Sequence, residues 1–336
     1  MLLMAKNIPV YDIENNVILH RELCPGAIIS GNLTFESWMK TRYSARSNAY
    51  SRRMMLRQFN TDNHNNILKP TRALSLSDVY WLREKHEEII FEQVTPYFNT
   101  VWEGGELFSE GSIATLFTNG AANKRWDNRD ILRKFNSIKE YDVYQIAQLI
   151  FKDSEDARFL PKVMRDGDDL LIENFTSTNT FLESLEQSKY LTDTSNHFDI
   201  ALDLYGKPFI NLLLLDYLVE HDDRHSGNIG HLRDADSGKI LGMAPFYDFD
   251  WCFSSYSLPL PDKVFKYYIG IINQFIKNTE HMLTKLPEDL HVYKDSLHRR
   301  IIEINKEVIS RKSTTHHLTP LVFEVGASKK PVDQTQ

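Results

Sequence analysis

HDDRHSGNIG, residues His221 to Gly230, is the stretch from which the rest of the chain is read. It follows an apolar run, FINLLLLDYLV (Phe209 to Val219), that stops at this cluster of charges. A short apolar piece, Ile229 to Leu232, comes next. Then come the turn-rich RDADSGK and a second apolar piece, ILGMAPFY, which ends on Asp248. That order predicts a buried helix, a polar loop and a β-hairpin, with Asp236-Ser237-Gly238 as the turn. Antiparallel partners sit about 5 Å apart, so the open end of such a hairpin brings Asn228 near Asp248. Asp223 lies just upstream on the loop. An amide oxygen and two carboxylates converging at one sheet end suit a hard divalent cation.

Asp223-Arg224-His225-x-x-Asn228, followed by a hairpin ending in Asp248, resembles the catalytic core of HipA-like bacterial serine/threonine kinases. The DRHxxN loop is also similar to that of phosphoinositide kinases. The resemblance covers residues 106 to 250, with its specific signal at 223–228 and 248. It implies an α+β, bilobal protein-kinase-like fold with a small β-rich N-lobe and a larger helical C-lobe, and ATP and Mg²⁺ as cofactors. Asp223 would then take the acceptor hydroxyl's proton, while Asn228 and Asp248 would be the metal ligands that hold Mg²⁺ on the nucleotide phosphates. Two departures stand out. The loop reads DRH rather than HRD, and the metal motif reads Asp248-Phe249-Asp250 rather than DFG. Asp250 is read either as a second metal ligand or as a cap on the next segment.

Upstream, GSIATLFTNGAANKRW (Gly111 to Trp126) precedes DILRKF (Asp130 to Phe135). Ile113 to Thr118 alternates as a strand would, Asn119 to Asn123 is turn-prone, and Asp130 to Phe135 reads as a second strand. A small-residue tip whose backbone approaches phosphates, followed by a strand bearing a Lys, suits a phosphate-binding lid. HipA-like kinases show a similar TNG…K…W run, which Thr118 to Trp126 resembles. Nucleotide contacts are therefore expected at Asn119, Gly120 and Lys134, with Lys124 and Arg133 as rivals for the phosphate Lys. Asp142 to Phe151 reads as a helix. Its central polar residues are Gln145 and Gln148, and Glu140 falls before it, so Gln145 is the candidate neutral partner of the Lys. Phe159 to Met164 and Asp169 to Glu173 read as a hairpin, and TSTNTFLESL (Thr176 to Leu185) as a helix. By analogy the hinge lies at the end of that hairpin, where adenine would meet the backbone near Glu173 and Phe175.

Nearer the N-terminus, Ile8 to Ile13 and Val17 to Leu19 read as a hairpin, and Leu33 to Met39 as a short capped helix. Residues 40 to 57 carry Arg42, Arg46, Arg52, Arg53 and Arg57 among aromatic residues. They read either as a patch for nucleic acid or an acidic partner, or as a solvated helix face. Ser75-Leu76-Ser77-Asp78 predicts the cap of a helix over Val79 to Glu92. Beyond Asp250, Tyr267 to Ile276 and Leu297 to Ile309 read as amphipathic helices.

Composition narrows the class. With 42% apolar and 25% charged residues the 336-residue chain reads as globular and long enough for a bilobal domain. A net charge of -7 disfavours non-specific nucleic-acid binding. Two cysteines, Cys24 and Cys252, exclude a disulfide framework and make a Cys-based zinc site unfavourable. His221, His225 and His231 do not form a helical HxxxH face, because Gly227 interrupts it. No apolar run approaches the ~20 residues that span a bilayer. A soluble cytoplasmic protein without membrane insertion is expected. The chain divides into an N-terminal accessory segment (1–105) packed on or extending the small lobe, a nucleotide lobe (106–176), a helical catalytic lobe (177–320) and a flexible tail (321–336). The expected function is Mg·ATP-dependent phosphoryl transfer to a hydroxyl, with a protein Ser or Thr as acceptor taken from the resemblance, and autophosphorylation among its forms. An antitoxin-like or DNA-binding partner accompanies that reading. A small-molecule or lipid kinase, or a silent nucleotide-binding or DNA-binding module, are the alternatives.

Overall fold

Leu2–Ala5 (β1) is the inner strand of the first sheet. It pairs antiparallel with both Ile8–Asp12 (β2) and Tyr80–Arg83 (β4), and Val17–Ile18 (β3) completes the order β3-β2-β1-β4. In the computed structural model the described residues are 1–42, 49–98, 118, 122–192, 196–254, 256 and 259–315. The first sheet is covered by Gly26–Ser30 (α1), Phe35–Arg42 (α2), Ala49–Phe59 (α3), Leu68–Thr71 (α4) and Phe91–Val94 (α5), around a core of Leu3, Met4, Trp38, Tyr80 and Trp81. The predicted hairpin at Ile8–Leu19 forms. The helix predicted over Val79–Glu92 does not. Val79, Tyr80, Trp81 and Leu82 are buried one after another, which suits a strand covered on both faces. Asp78 is no helix cap either. Its Oδ1 accepts the Tyr80 N–H at 2.9 Å and lies 2.6 Å from Arg42 Nη2. Arg42 thus leaves the expected basic surface for a buried ion pair.

The second sheet has the order β5-β6-β8-β7: Lys124–Asn128 (β5), Ile131–Lys134 (β6), Asp169–Glu173 (β8) and Val163–Asp166 (β7). Ile138–Phe151 (α6) packs against it. The helix starts before Asp142, because Asn136, at φ 53°, turns the chain directly after β6. Glu140 therefore lies in its first turn.

Thr180–Ser184 (β9) pairs with Gly230–Asp234 (β10), which pairs with Ile240–Met243 (β11). The β10–β11 hairpin is as predicted. The helix predicted over Thr176–Leu185 is instead strand β9, with Phe181 opposite Arg233 and Glu183 opposite His231. Thr and Phe favour a pleated surface, and a waiting edge strand overrides a Ser/Thr cap signal. Around this hairpin lie His197–Tyr205 (α7), Lys207–Leu218 (α8), Asp262–Tyr267 (α9), Ile269–Leu283 (α10) and Lys294–Thr315 (α11). Leu212 to Leu215 of α8 are all buried, together with Asn211 and Asp216, so the helix runs through the middle of the core. The result is an α+β fold with a sheet-rich small lobe and a larger helical lobe.

The N-terminal unit packs both on the small lobe, where α3 lies against β5, and on the β9–β10 strands. Phe181 and Ala235 belong to its core. The Arg233 guanidinium donates to the Glu22 carbonyl at 2.6 Å and pairs with Glu183 at 2.6 Å, and Glu183 Oε1 accepts the Gly26 N–H at 2.9 Å. Leu76 and Tyr97 also pack on Trp126 of the small lobe, and Arg129 donates to the Tyr97 carbonyl at 3.1 Å. The boundary at 105, the strand over Ile113–Thr118 apart from Thr118, the contacts at Asn119 and Gly120, and the tail 321–336 lie outside the described residues.

Candidate functional site

Two segments, one at residue 140 and one at 248–250, bring three carboxylates to one ammonium group. Lys134, the last residue of β6, is buried, and its Nζ lies 2.6 Å from Glu140 Oε2, 2.9 Å from Asp248 Oδ1 and 2.6 Å from Asp250 Oδ1. A carboxylate oxygen from each of the three acids lies within 4.8 Å of one from each of the others. Anions this close repel unless a cation lies between them. Burial raises Glu140 to about 8, with Lys134 opposing and Asp250 adding to the rise. Burial also works against the Asp248 carboxylate, but Lys134 and Lys124 outweigh it and hold the group well below the usual range. Burial alone would lower Lys134, yet its three carboxylates carry it well above an ordinary lysine. The partner of Lys134 is thus Glu140, not Gln145. Asp250 ion-pairs with Lys134 rather than serving only as a cap.

Asp248 has φ 65°, a left-handed conformation that is unfavourable for a residue with a Cβ and that neighbouring contacts must enforce. Those contacts are visible on both sides. The Phe249 N–H donates to Glu140 Oε1 at 3.2 Å, and the Phe249 ring lies edge-on to Tyr144 and His221, with the Arg224 guanidinium 4.9 Å from its centroid. Arg224 donates to the carbonyls of Asn228 (2.9 Å) and Tyr247 (2.8 Å). One buried guanidinium therefore ties the end of the polar loop to the residue preceding Asp248.

Asn228 is buried and closes its own loop. Its Oδ1 accepts the His225 N–H and its Nδ2 donates to the Asp223 carbonyl, both at 2.8 Å. Asp223 has a half-exposed carboxylate and lines the same cleft as Lys134 and Asp248. His225 Nε2 lies 4.0 Å from its Oδ2. The three histidines do not gather. His221 lies beside Asp216, and His231 is held between Tyr205 and Glu183.

The cleft measures about 680 Å³. Trp126, Leu132 and Ile172 form an apolar part, and Phe175 stands at its edge with its ring 6.2 Å from that of Tyr247. Of the expected hinge residues, Glu173 uses its N–H on the Lys162 carbonyl. Asn174 and Thr176 use theirs on Asp130 O and Asn174 Oδ1. The Phe175 N–H has no partner among the described residues. The N-terminal unit adds Arg42, Ser75, Ser77 and Asp78 to the cleft wall, a contribution no spacing in the sequence announces.

No family model matches the sequence, and no curated protein matches it. Among solved structures the chain is similar to the crystal structure of a Helicobacter pylori proinflammatory kinase, CtkA. The two are 16% identical over 60% of this chain and 95% of that one, with a TM-score of 0.38. At that level of likeness the reading of the site stands on its own geometry. No helix among the described residues is long and apolar enough to cross a membrane.

Proposed function

We propose that this chain is an ATP-dependent kinase that transfers a phosphoryl group to a hydroxyl, with a protein Ser or Thr as acceptor. The observation that carries the proposal is Lys134 held by Glu140, Asp248 and Asp250 in a cleft that also contains Asp223. Phosphoryl transfer needs little covalent help from a protein. It needs the phosphates positioned and their charge offset. Adenine fits the apolar part of the cleft, with the Phe175 N–H as a donor. Asp223, exposed to the cleft, is placed to accept the proton of the attacking hydroxyl as its oxygen bonds to the terminal phosphorus and ADP leaves. Clustered carboxylates are all hard oxygen donors and suit Mg²⁺, which Asp248 and Asp250 would hold, with Asn228 as the third candidate. When bound, the ion would offset phosphate charge and draw the terminal phosphorus toward attack. Arg224 and Glu140 hold the 247–250 segment in place for this purpose.

Purified protein incubated with γ-labelled ATP and Mg²⁺ tests the proposal. Label is expected on the protein itself or on a Ser/Thr-bearing protein substrate, and not with Asp248→Asn. Label moving to a phosphoinositide headgroup instead would assign the acceptor to lipid. Folded protein that binds ATP but never transfers label would overturn the reading in favour of a silent binding module.

A further inference from the structure

A second cavity, of about 480 Å³, opens where the last turn of α6, the segment after it, the first turns of α8 and helix α10 meet. No described residue lines both this cavity and the cleft. Phe151, on its wall, lies roughly 16 Å along α6 from Glu140. Two buried polar side chains reach the cavity with bonding capacity to spare. Asn211, on α8, is 3% exposed, yet its amide makes no hydrogen bond with a described residue. Neither atom of that amide is sealed in protein, so both open on the cavity. Asp156 is 6% exposed. Its Oδ2 takes the Ser154 hydroxyl and Lys207 Nζ, both at 2.8 Å, and its Oδ1 accepts no hydrogen bond from a described residue. Lys207 and Asn211 are one turn apart on α8 and share a face, so the ion pair with Lys207 brings Asp156 near the free amide.

Unused acceptor oxygens on a buried carboxylate and a buried amide are matched by N–H donors. Charge points the same way. The walls carry Asp153, Glu155 and Asp156 against Lys207, which Asp156 already holds, and the exposed His281. Phe151, Ile271 and Phe275 supply the apolar part, with the two rings 6.0 Å apart. An anion would meet three carboxylates. A purely apolar guest would leave the amide and the carboxylate oxygen unbonded. These carboxylates do not come close enough together to ligate one metal ion. The volume falls in the range of small-molecule sites. We propose that this cavity binds a small amphipathic cation, an amine or guanidine carried on an apolar body, with its charged head between Asp156 and Asn211. The proposal does not depend on the kinase reading.

Calorimetric titration of the full chain with 4-phenylbutylamine, 4-phenylbutanol and 4-phenylbutyrate, alike in body and different in charge, provides the test. The amine is expected to bind at least about tenfold tighter than the alcohol, and the carboxylate not at all. Asn211→Leu and Asp156→Asn, on separate elements, should each weaken the amine at least about tenfold and leave the alcohol within about twofold. Asn211→Ala replaces the Leu variant if that one does not fold. Wild type that binds no amine would overturn the proposal. Equal affinity for amine and alcohol would overturn the cationic head. Either variant binding the amine as wild type does would place the amine elsewhere and overturn the site. None of these results bears on the kinase reading, because no cleft residue is altered.

Discussion

Arg224 and Asp216 meet through two hydrogen bonds, Nε to Oδ2 at 2.9 Å and Nη2 to Oδ1 at 2.8 Å, and both side chains are buried. Asp216 comes from α8, the helix sealed inside the core, and Arg224 from the polar loop. The pair anchors a loop of irregular backbone to the most rigid part of the fold. Arg224 has further donors, and these reach the Asn228 and Tyr247 carbonyls.

Breaking that pair strands a buried guanidinium. Asp216→Asn is expected to lower stability by about 3–5 kcal/mol, read from the urea unfolding midpoint. Burial opposes the Asp216 charge, but Arg224 and His221 overcome it and hold the carboxyl below its ordinary value. A depressed folded-state value contributes stability that is present above about pH 4 and lost as pH falls through the folded value. Wild type should therefore lose stability on acidification below about pH 4 more steeply than Asp216→Asn does. Parallel acid profiles for the two proteins would speak against the pair.

Asp223 is half-exposed and carries no packing load, so its removal separates chemistry from folding. Asp223→Asn is expected to leave the melting temperature unchanged and to lower phosphoryl transfer by about 10²-fold or more. Turnover close to wild type would remove Asp223 from the proton-accepting role.

Glu140 and Gln145 give a direct contrast, since the helix pattern favours one and the geometry the other. Glu140→Gln should lower transfer by roughly tenfold or more, because Lys134 and the Phe249 N–H lose a shared carboxylate. Gln145→Ala should remain within about twofold of wild type. The reverse order of effects, measured as initial rates, would return the partner role to Gln145.

Gly238 tests how the N-terminal unit is attached. Its φ is 70°, and a Cβ there would lie 2.0 Å from the Glu22 carbonyl oxygen. Gly167 has a similar φ of 62° but open space around it. Gly238→Ala should therefore destabilise by roughly 1–3 kcal/mol beyond the cost of Gly167→Ala, with earlier proteolysis in the first hundred residues. Equal costs would mean that the unit yields to the methyl group without strain.

Local pattern was enough for some elements. The run Phe209–Val219 had no polar face, and a helix of that kind has only the interior to occupy, so α8 was legible. The β10–β11 hairpin was legible from Asp236-Ser237-Gly238, because turn chemistry acts over a few residues. Strands β4 and β9 were missed for one reason. Ser75–Asp78 and Thr176–Thr180 look like helix caps, but a cap is worth about 1 kcal/mol and pairing along β1 or β10 outweighs it. Glu140 was missed because a charged residue ahead of an apolar pattern reads as loop. The turn at Asn136 places Glu140 in the first turn of the helix, and only the fold shows that Lys134 is its partner.

By itself the sequence singled out the candidate side chains. Asp223, Asn228, Asp248 and Lys134 stand out by type and spacing, since local spacing constrains what a short loop or hairpin can present. The tertiary structure decided how they are shared out: Glu140 and Asp250 on Lys134, Asn228 as a clasp within its own loop, and Arg224 as the tie. Electrostatic partnership depends on distance through space and on burial, and neither is written in the order of residues along a chain.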